Sequence, residues 1–219
     1  MVGKFGTLVG QFFPVFYAVA QPMSGLGPSP RPKPIFDLVI CYVASCVPYV
    51  LVQQNVDGSD FFNRSWAEFK AGFKNKGGNR WLGNERLHQL TISGRYKLRF
   101  DLYARDNGSW YYAEYSRFVV SSEASNYKMH VSGYSGNAGD ALWYSDGMMF
   151  TTYDRDNDQR SSGNCAVSRG GGFWHKNCVE CGVNVARGRP GDFTWHGRVG
   201  TGRVAVEVQS TQMWLVCYM

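Results

Sequence analysis

Several features that mark common classes of protein are scarce in this sequence. Only 18% of the residues are charged, and the lysines and arginines are scattered instead of forming the runs of about five to eight that mark nucleic-acid patches. We therefore interpret the net charge of +6 as surface charge and expect no nucleic-acid partner. Asp37 and Pro48 interrupt the apolar run of residues 35–52, which keeps it below the roughly 20 apolar residues of a membrane helix. We expect buried strands there and no membrane span.

Signals of enzymes, zinc sites and repeat proteins are equally scarce. The four histidines have no serine or cysteine nucleophile motif around them, and no glycine-rich stretch leads into the Lys-Ser/Thr helix of a phosphate loop. The single Cys-x-x-Cys, at Cys178 and Cys181, has no second pair at zinc spacing. No sequence period of about 20 to 50 residues appears, which argues against solenoids and propellers. We expect a protein that is not an enzyme.

Glycine and aromatic residues are abundant, and their arrangement predicts short elements and many turns. The chain is 44% apolar, with 26 glycines, 13 tyrosines and 14 phenylalanines. Residues 96–104 and 110–120 alternate in polarity around a turn at residues 105–108, which predicts a β-hairpin, and residues 127–135 predict a third strand. Helices are predicted at residues 66–78, ended by Gly77-Gly78, and at residues 84–94, with Leu87 and Leu90 facing inward.

The N-terminal residues have the layout of a secretory signal peptide. A single Lys4 precedes an apolar stretch, and the small residues Ala18 and Ala20 precede Gln21, so residues 1–20 are predicted to be cleaved after Ala20. Residues 21–48 form a Pro/Gly-rich linker and a divergent segment.

Secretion favours disulfides among the six cysteines, although the sequence alone leaves their pairing open. Two glycosylation sequons, at Asn63 and Asn107, fit a secreted, extracellular protein.

Three aspartates, Asp154, Asp156 and Asp158, stand at every second position of one polar stretch. Carboxylates at this spacing in an irregular loop can direct several oxygens at one Ca²⁺. An EF-hand would also need glycine at its sixth position and glutamate at its twelfth, where this chain has Gln159 and Cys165. The EF-hand interpretation therefore fails. From spacing alone, an acidic loop paired with neighbouring arginines stays an alternative to a calcium site.

Five stretches follow one another as they do in the fibrinogen-like C-terminal domain: NVDGSDFFNRSWAEFKAGF, RWLGNERLHQLT, YKLRFDLYARDNGSWYYAEYSRFVV, YKMHVSGYSGNAGDALWYSDGMMFTTYDRDND and GNCAVSRGGGFWHKNC. Residues 52–178 resemble that family. The resemblance implies an α+β fold with a central twisted antiparallel sheet and flanking short helices. It implies a domain spanning residues 49–219, of which residues 135–219 form a loop-rich, calcium-binding C-terminal subdomain.

The resemblance also implies how the aspartate stretch binds calcium. The side chains of Asp156 and Asp158 would be ligands, together with the main-chain carbonyls of Arg160 and Ser162. An inserted residue makes the carbonyl of Gly163 the alternative to that of Ser162. Calcium would be structural, holding a long loop beside a binding surface.

A disulfide and a ligand pocket are further implications of the resemblance. Cys165 would pair with Cys178, with a cis peptide bond between Asn177 and Cys178 and, in the lectin-like members, an acetyl-binding pocket beside the disulfide. Val179 stands where those members have histidine, and Arg169 stands where some have tyrosine. The ligand-binding set expected here is Arg169, His175, Asn177, Cys178, Val179 and Trp195, while Phe173 and Trp174 are expected in the core. Arg169 and Lys176 would suit an anionic sugar.

The sequence thus predicts a secreted, calcium-binding recognition module. Its expected partners are acetylated or anionic glycans on microbial or cell surfaces, in innate immune pattern recognition. The alternative is a protein-binding ligand or extracellular-matrix component that engages a receptor or matrix protein without lectin activity. An unpaired cysteine such as Cys181 or Cys217 could link two chains into a homo-oligomer, and an oligomer would gain avidity.

Overall fold

An antiparallel sheet dominates the computed structural model, which describes residues 48–189 and 193–218. The described residues form eight strands: β1 (Tyr49–Asn55), β2 (Phe73–Lys74), β3 (Arg80–Trp81), β4 (Tyr96–Ala104), β5 (Trp110–Val120), β6 (Met129–Gly136), β7 (Thr194–Val199) and β8 (Gly202–Cys217). Their order in the sheet is β2-β3-β1-β8-β4-β5-β6, with β7 pairing separately with β8. Three short α-helices accompany the sheet, so the predicted α+β class is confirmed. The helices are α1 (Trp66–Ala71), α2 (Asn84–Thr91) and α3 (Cys165–Arg169).

The last strand of the chain lies in the middle of the sheet. β8 is 16 residues long and pairs with β1, with β4 and, through its first residues, with β7. The prediction that residues 135–219 are loop-rich is therefore wrong from Thr194 onward. The alternating burial of Val206 and Val208 on β8 shows why these residues form a strand, since one face of it packs into the core.

The predicted hairpin and third strand are confirmed. β4 and β5 pair from Leu98 opposite Tyr115 to Tyr103 opposite Trp110, and β6 adds to the outer edge of β5. Every second residue of β4 is buried, as expected for a strand that packs one face on the core. Gly108 has a φ of 64° in the connecting turn, a conformation that glycine adopts without steric cost.

Aromatic side chains fill the core beneath the sheet. Trp174 is fully buried and its indole N–H donates to the carbonyl of Tyr127 at 2.8 Å. Its ring meets the edge of Phe150 at a centroid distance of 5.1 Å. Phe173 is 2% exposed. The prediction that Phe173 and Trp174 belong to the core is confirmed.

α1 begins and ends at residues with identifiable roles. Ser65 accepts from the backbone N–H of Glu68, whose carboxylate accepts from the backbone N–H of Ser65, a complete capping box. The helix ends at Ala71 because Gly72 has a φ of 89° and lies against Leu82, where a Cβ would be 2.4 Å from the Leu82 carbonyl oxygen. The prediction that this helix continues to Gly77-Gly78 is wrong.

Replacing Ser65 with alanine should lower the free energy of unfolding by about 1 kcal/mol, because the capping hydroxyl is lost. Chemical denaturation measures this difference. Ser122 precedes a 3₁₀ turn without a side-chain capping bond, so Ser122→Ala is a matched control that should leave stability nearly unchanged. Equal effects of the two substitutions would contradict the capping role.

Several predictions fall outside the described residues. They are the signal peptide, residues 1–20, nearly all of the linker and divergent segment, residues 21–48, and Cys41 and Cys46. Among the described residues, no helix has the length and apolarity needed to cross a membrane.

Candidate functional site

Asp154, the first of the three aspartates, serves to anchor the loop that carries them. Its Oδ1 accepts from the backbone N–H of Trp66 at 2.9 Å and from the hydroxyl of Thr152 at 2.7 Å. These bonds tie the loop to the first turn of α1. Asp154 therefore has a structural role, which agrees with its absence from the predicted ligand set.

Asp156 and Asp158 fold the following residues into successive side-chain-to-backbone turns. Oδ1 of Asp156 accepts from the N–H of Asp158 at 3.2 Å, and Oδ1 of Asp158 accepts from the N–H of Arg160 at 2.8 Å. Oδ2 of Asp158 accepts from the N–H of Cys165 at 2.7 Å, at the start of α3. Turns of this kind are typical of aspartate, and they hold both carboxylates at the same bend.

The arginines around these carboxylates bind elsewhere. Arg155 stacks on the ring of Trp66 at 4.1 Å and donates to Asn126 at 2.8 Å, while Arg160 donates to the hydroxyl of Ser168 at 3.1 Å. No ion pair joins either arginine to Asp156 or Asp158 in the described part of the chain. An acidic loop neutralised by its own arginines is therefore not what the structure shows.

The oxygens of Asp156 and Asp158 are of the type that a hard cation such as Ca²⁺ prefers. Over residues 48–189 and 193–218, no group of three or more His, Cys, Asp or Glu side chains is placed to hold a metal ion. A calcium ion here would therefore have two carboxylate ligands, from Asp156 and Asp158, and would take its other oxygens from main-chain carbonyls and water, as Ca²⁺ sites commonly do. The carbonyls of Arg160 and Ser162 stay the predicted ligands.

The predicted disulfide and cis peptide bond are both present. Cys165 and Cys178 are joined with a Cα–Cα distance of 5.5 Å, and the Asn177–Cys178 bond is cis. Asn164 caps α3 by accepting from the N–H of Val167. The loop that carries the aspartates is therefore closed by a covalent bond and by a capped helix.

The two cysteines considered for a homo-oligomer are not available at the surface as thiols. Cys181 is a free thiol but is 1% exposed, and burial raises its pKa far above the usual range. Cys217 is disulfide-bonded. The expectation that either residue links two chains is therefore corrected.

Two residues of the expected ligand-binding set lie beneath the surface. Trp195 is fully buried, and its indole N–H donates to the carbonyl of Gly139 at 2.9 Å. His175 is also fully buried, with Nε2 donating to the carbonyl of Gly171 at 2.9 Å. Because neither ring reaches solvent, the expectation that they contact a ligand directly is corrected. They support the surface from below.

The remaining members of the expected set lie at or near the surface. Asn177 is exposed, and Arg169 and Val179 are partly buried. Cys178 is 4% exposed. Val179 packs partly against the core, so this side chain offers neither the hydrogen bond nor the charge of the histidine that it replaces.

Burial lowers the pKa of His175 to about 4, which predicts an acid-sensitive fold. The unfolded imidazole binds a proton near pH 6.5, whereas the folded one stays neutral until about pH 4. This contribution to stability is therefore fully present above pH 6.5 and is lost as the pH falls toward 4. Between pH 7.5 and pH 5 the loss should be about 2 kcal/mol. The substitution His175→Gln should flatten that part of the pH profile.

Denaturation at a series of pH values measures this dependence. His130 is exposed on β6, so His130→Gln serves as the control and should keep the wild-type slope. A His175→Gln protein that loses stability as steeply as the wild type between pH 7.5 and pH 5 would contradict the role given to His175.

Two cations, the half-buried Lys176 and the exposed Arg198, are stacked on aromatic rings that sequence reasoning missed. Lys176 Nζ lies 5.1 Å from the ring centroid of Tyr144, and Arg198 Cζ lies 4.0 Å from that of Trp143. The two rings are neighbours at 5.6 Å, and the hydroxyl of Tyr144 donates to the carbonyl of Asn177 at 3.2 Å. The sequence analysis named Lys176 for an anionic ligand but gave no role to Trp143 and Tyr144, whose only signal was their adjacency.

We group these residues with Arg160 and Arg169 as the cationic patch, because the N–H of Gln159, next to Arg160, donates to the carbonyl of Lys176 at 2.8 Å and the charge of Arg160 acts on Arg169. It consists of Trp143, Tyr144, Arg160, Arg169, Lys176 and Arg198. In the described part of the chain none of its four cations forms an ion pair with a carboxylate. Burial, together with the nearby charge of Arg160, lowers the pKa of Arg169. The patch therefore carries positive charge that the protein itself does not balance.

Comparison with known proteins identifies the family. The model of the family "Fibrinogen beta and gamma chains, C-terminal globular domain" matches residues 35–200, so its match begins before the predicted domain start at residue 49. This chain belongs to that family. Protein scabrous of Drosophila melanogaster is 43% identical over 136 residues, which is 62% of this chain and 17% of scabrous. Tenascin of Gallus gallus is 41% identical over 144 residues, or 66% of this chain and 8% of tenascin.

Solved structures agree with this assignment. The fibrinogen-like globe domain of human ANGPTL2 has a TM-score of 0.65 at 33% identity and covers 76% of this chain and 79% of its own. Lamprey fibrin D-dimer, solved with the peptide ligand Gly-His-Arg-Pro-amide, has a TM-score of 0.62 at 27% identity, with coverages of 77% and 61%. The chain spans less than a fifth of the length of scabrous and of tenascin.

Proposed function

We propose that this domain is a secreted, extracellular recognition module that binds anionic glycans, either sulfated or sialylated, through the cationic patch. The observation that carries the proposal is the set of four cations without carboxylate partners, two of them stacked on the half-buried rings of Trp143 and Tyr144. Arginine and lysine bind sulfate and carboxylate through charge-assisted hydrogen bonds. Stacking on a ring limits the motion of each cation, so less conformational entropy is lost when a ligand binds.

The geometry favours anionic over acetylated sugars. Lectin-type recognition of an acetyl group would need accessible rings beside the disulfide, but Phe173, His175 and Trp195 are all buried. The accessible groups are the cations, Asn177 and the half-buried rings of Trp143 and Tyr144, which Arg198 and Lys176 already cover. We therefore expect charge, not ring stacking by the buried aromatics, to supply most of the affinity.

The aspartate loop lies next to the patch and gives calcium a part in this proposal. The N–H of Gln159, which follows Asp158, donates to the carbonyl of Lys176 at 2.8 Å, so movement of the loop would move Lys176. A bound Ca²⁺ would neutralise the two carboxylates and fix the bend. Asp156 and Asp158 are in this way expected to hold the loop rigid and to remove negative charge that would repel an anionic ligand.

Retention on immobilised sugars tests the proposal. The protein should bind a sulfated polysaccharide matrix in Ca²⁺ at low salt, should elute as the salt concentration rises because exposed charges are screened, and should not be held by immobilised N-acetylglucosamine. Retention by N-acetylglucosamine alone, with elution by the free sugar, would favour acetyl recognition instead. Passage through both matrices would overturn glycan binding.

A second candidate is a protein-binding module of a matrix component. It is favoured by the similarity to tenascin and by the peptide ligand in the lamprey fibrin D-dimer structure, which shows that one family member binds a short peptide. A pull-down with purified extracellular-matrix proteins stripped of their glycans separates the two candidates. Binding that survives removal of the glycans would support the protein-binding function.

A further inference from the structure

Two N-glycosylation sequons, Asn63-Arg64-Ser65 and Asn107-Gly108-Ser109, lie outside the cationic patch and have no part in the proposed binding. N-linked glycans attach to asparagine in this three-residue pattern at the surface of secreted proteins. Both asparagines are exposed. The two sequons differ, however, in the hydrogen bonds that their serine hydroxyls make. Glycosylation of one asparagine can therefore be compared with that of the other in the same protein.

Asn107 lies at the tip of the hairpin between β4 and β5. Residues 105–109 are all exposed, and the turn is held by local bonds. The N–H of Ser109 donates to Oδ1 of Asn107 at 2.9 Å, and the N–H of Ala104 donates to the carbonyl of Ser109 at 2.9 Å. Because these bonds join residues close together in sequence, the turn can form before the sheet does. Nδ2 of Asn107 donates only a long bond, of 3.5 Å, to the Tyr111 hydroxyl, and the Ser109 hydroxyl makes no hydrogen bond within residues 48–189 and 193–218. Both groups of the sequon therefore reach solvent.

Asn63 precedes α1, where the serine of its sequon is already engaged. The hydroxyl of Ser65 donates to Oε2 of Glu68 at 2.9 Å and accepts from the N–H of Glu68 at 3.3 Å. Arg64, the middle residue of the sequon, forms an ion pair with Glu68 at 3.0 Å. These contacts are also local, so they compete for the same hydroxyl that defines the sequon.

We propose that Asn107 is the glycosylated asparagine of this domain and that Asn63 is the poorer acceptor. In the transfer, Nδ2 of Asn107 forms a bond to the anomeric carbon of a lipid-diphosphate-linked oligosaccharide. The bond from that carbon to the diphosphate oxygen breaks, the lipid diphosphate leaves with the electron pair, and the amide loses one proton to a base of the transferase. The attached glycan projects from a hairpin tip, where it displaces no packed side chain.

Translation of the full chain behind a cleavable signal sequence, in the presence of endoplasmic-reticulum microsomes, tests the proposal. Only chains protected from added protease are scored, so every scored chain has reached the transferase. Glycopeptide mass spectrometry gives the occupancy of each asparagine. We expect high occupancy at Asn107 and clearly lower occupancy at Asn63. Asn107→Gln and Ser109→Ala should each remove the main glycan, Asn63→Gln should leave it, and Ser109→Thr should retain it.

Two results would overturn the proposal. One is an unmodified Asn107 in protected chains when a control glycoprotein is modified in the same reaction. The other is occupancy at Asn63 equal to or above that at Asn107. Because occupancy is measured on the peptides themselves, neither result depends on whether a variant folds or binds a ligand.

Discussion

Replacing Asp156 and Asp158 together by asparagine should abolish the rise in melting temperature that we expect Ca²⁺ to give to the wild-type domain. A ligand that binds only the folded state stabilises it by about 2.7 kcal/mol at roughly 100 times its dissociation constant. For a chain of this length that corresponds to roughly 5 to 10 °C. Asparagine keeps an Oδ1 that can accept from the backbone N–H groups at the bend, but it removes both charges that the cation needs. Scanning calorimetry with Ca²⁺ and with a chelator measures the difference.

Asp154 provides the matched control for this variant. Its carboxylate is engaged by Trp66 and Thr152, so Asp154→Asn should lower the melting temperature in both conditions and keep the calcium-dependent increment. A double variant that still gains several degrees from Ca²⁺ would contradict the assignment of Asp156 and Asp158. If Asp154→Asn loses the calcium-dependent rise in melting temperature and the double variant keeps it, the cation binds elsewhere in the loop.

Replacing Lys176 and Arg198 together by glutamine should weaken binding of a sulfated oligosaccharide by at least about tenfold at low salt. Hydrogen bonds to charged groups contribute roughly 1.5 to 3 kcal/mol each, and a tenfold change in affinity corresponds to about 1.4 kcal/mol. Both side chains lie over half-buried rings and neither holds a strand or helix in place, so the melting temperature should change little. Titration calorimetry measures the affinity.

A matched variant removes charge from another part of the surface. Arg86 is exposed on α2, so Arg86→Gln lowers the net charge without touching the patch, and it should leave the affinity nearly unchanged. The comparison uses the single variants Lys176→Gln and Arg198→Gln. If Arg86→Gln lowers the affinity as much as either of them, the net charge of the protein and not the patch determines binding. In that case the proposed site would be wrong.

Much of the sheet and of the covalent framework followed from the sequence, because these depend on local patterns and on ordered motifs. The alternation along β4 and the turn after it are local signals, and both are present as predicted. The Cys165–Cys178 pair followed from the resemblance to the family and is confirmed. The end of α1 could not be read in this way, since Gly72 ends the helix through its approach to the Leu82 carbonyl, a contact between separate elements.

The cationic patch was the least predictable part, because it too depends on contacts between separate elements. Trp195 looked like a surface ring in sequence, but β7 pairs with β8 and brings that ring under Gly139. Arg198 gave no signal of its own, yet its backbone bridges Asp140, which places its guanidinium over Trp143. Both outcomes depend on strands that meet only in the folded protein, whereas sequence patterns report what neighbouring residues do.

Calcium held by the aspartate loop should support the binding of an anionic glycan at the cationic patch. Titration of the wild-type protein with one defined sulfated oligosaccharide, once in Ca²⁺ and once in chelator, tests it most directly. Because coupling between two sites is typically worth about 1 to 3 kcal/mol, we predict measurable binding in Ca²⁺ and an affinity lower by at least about fivefold in chelator. The same affinity in both conditions would contradict the coupling, and no binding in either would contradict the function.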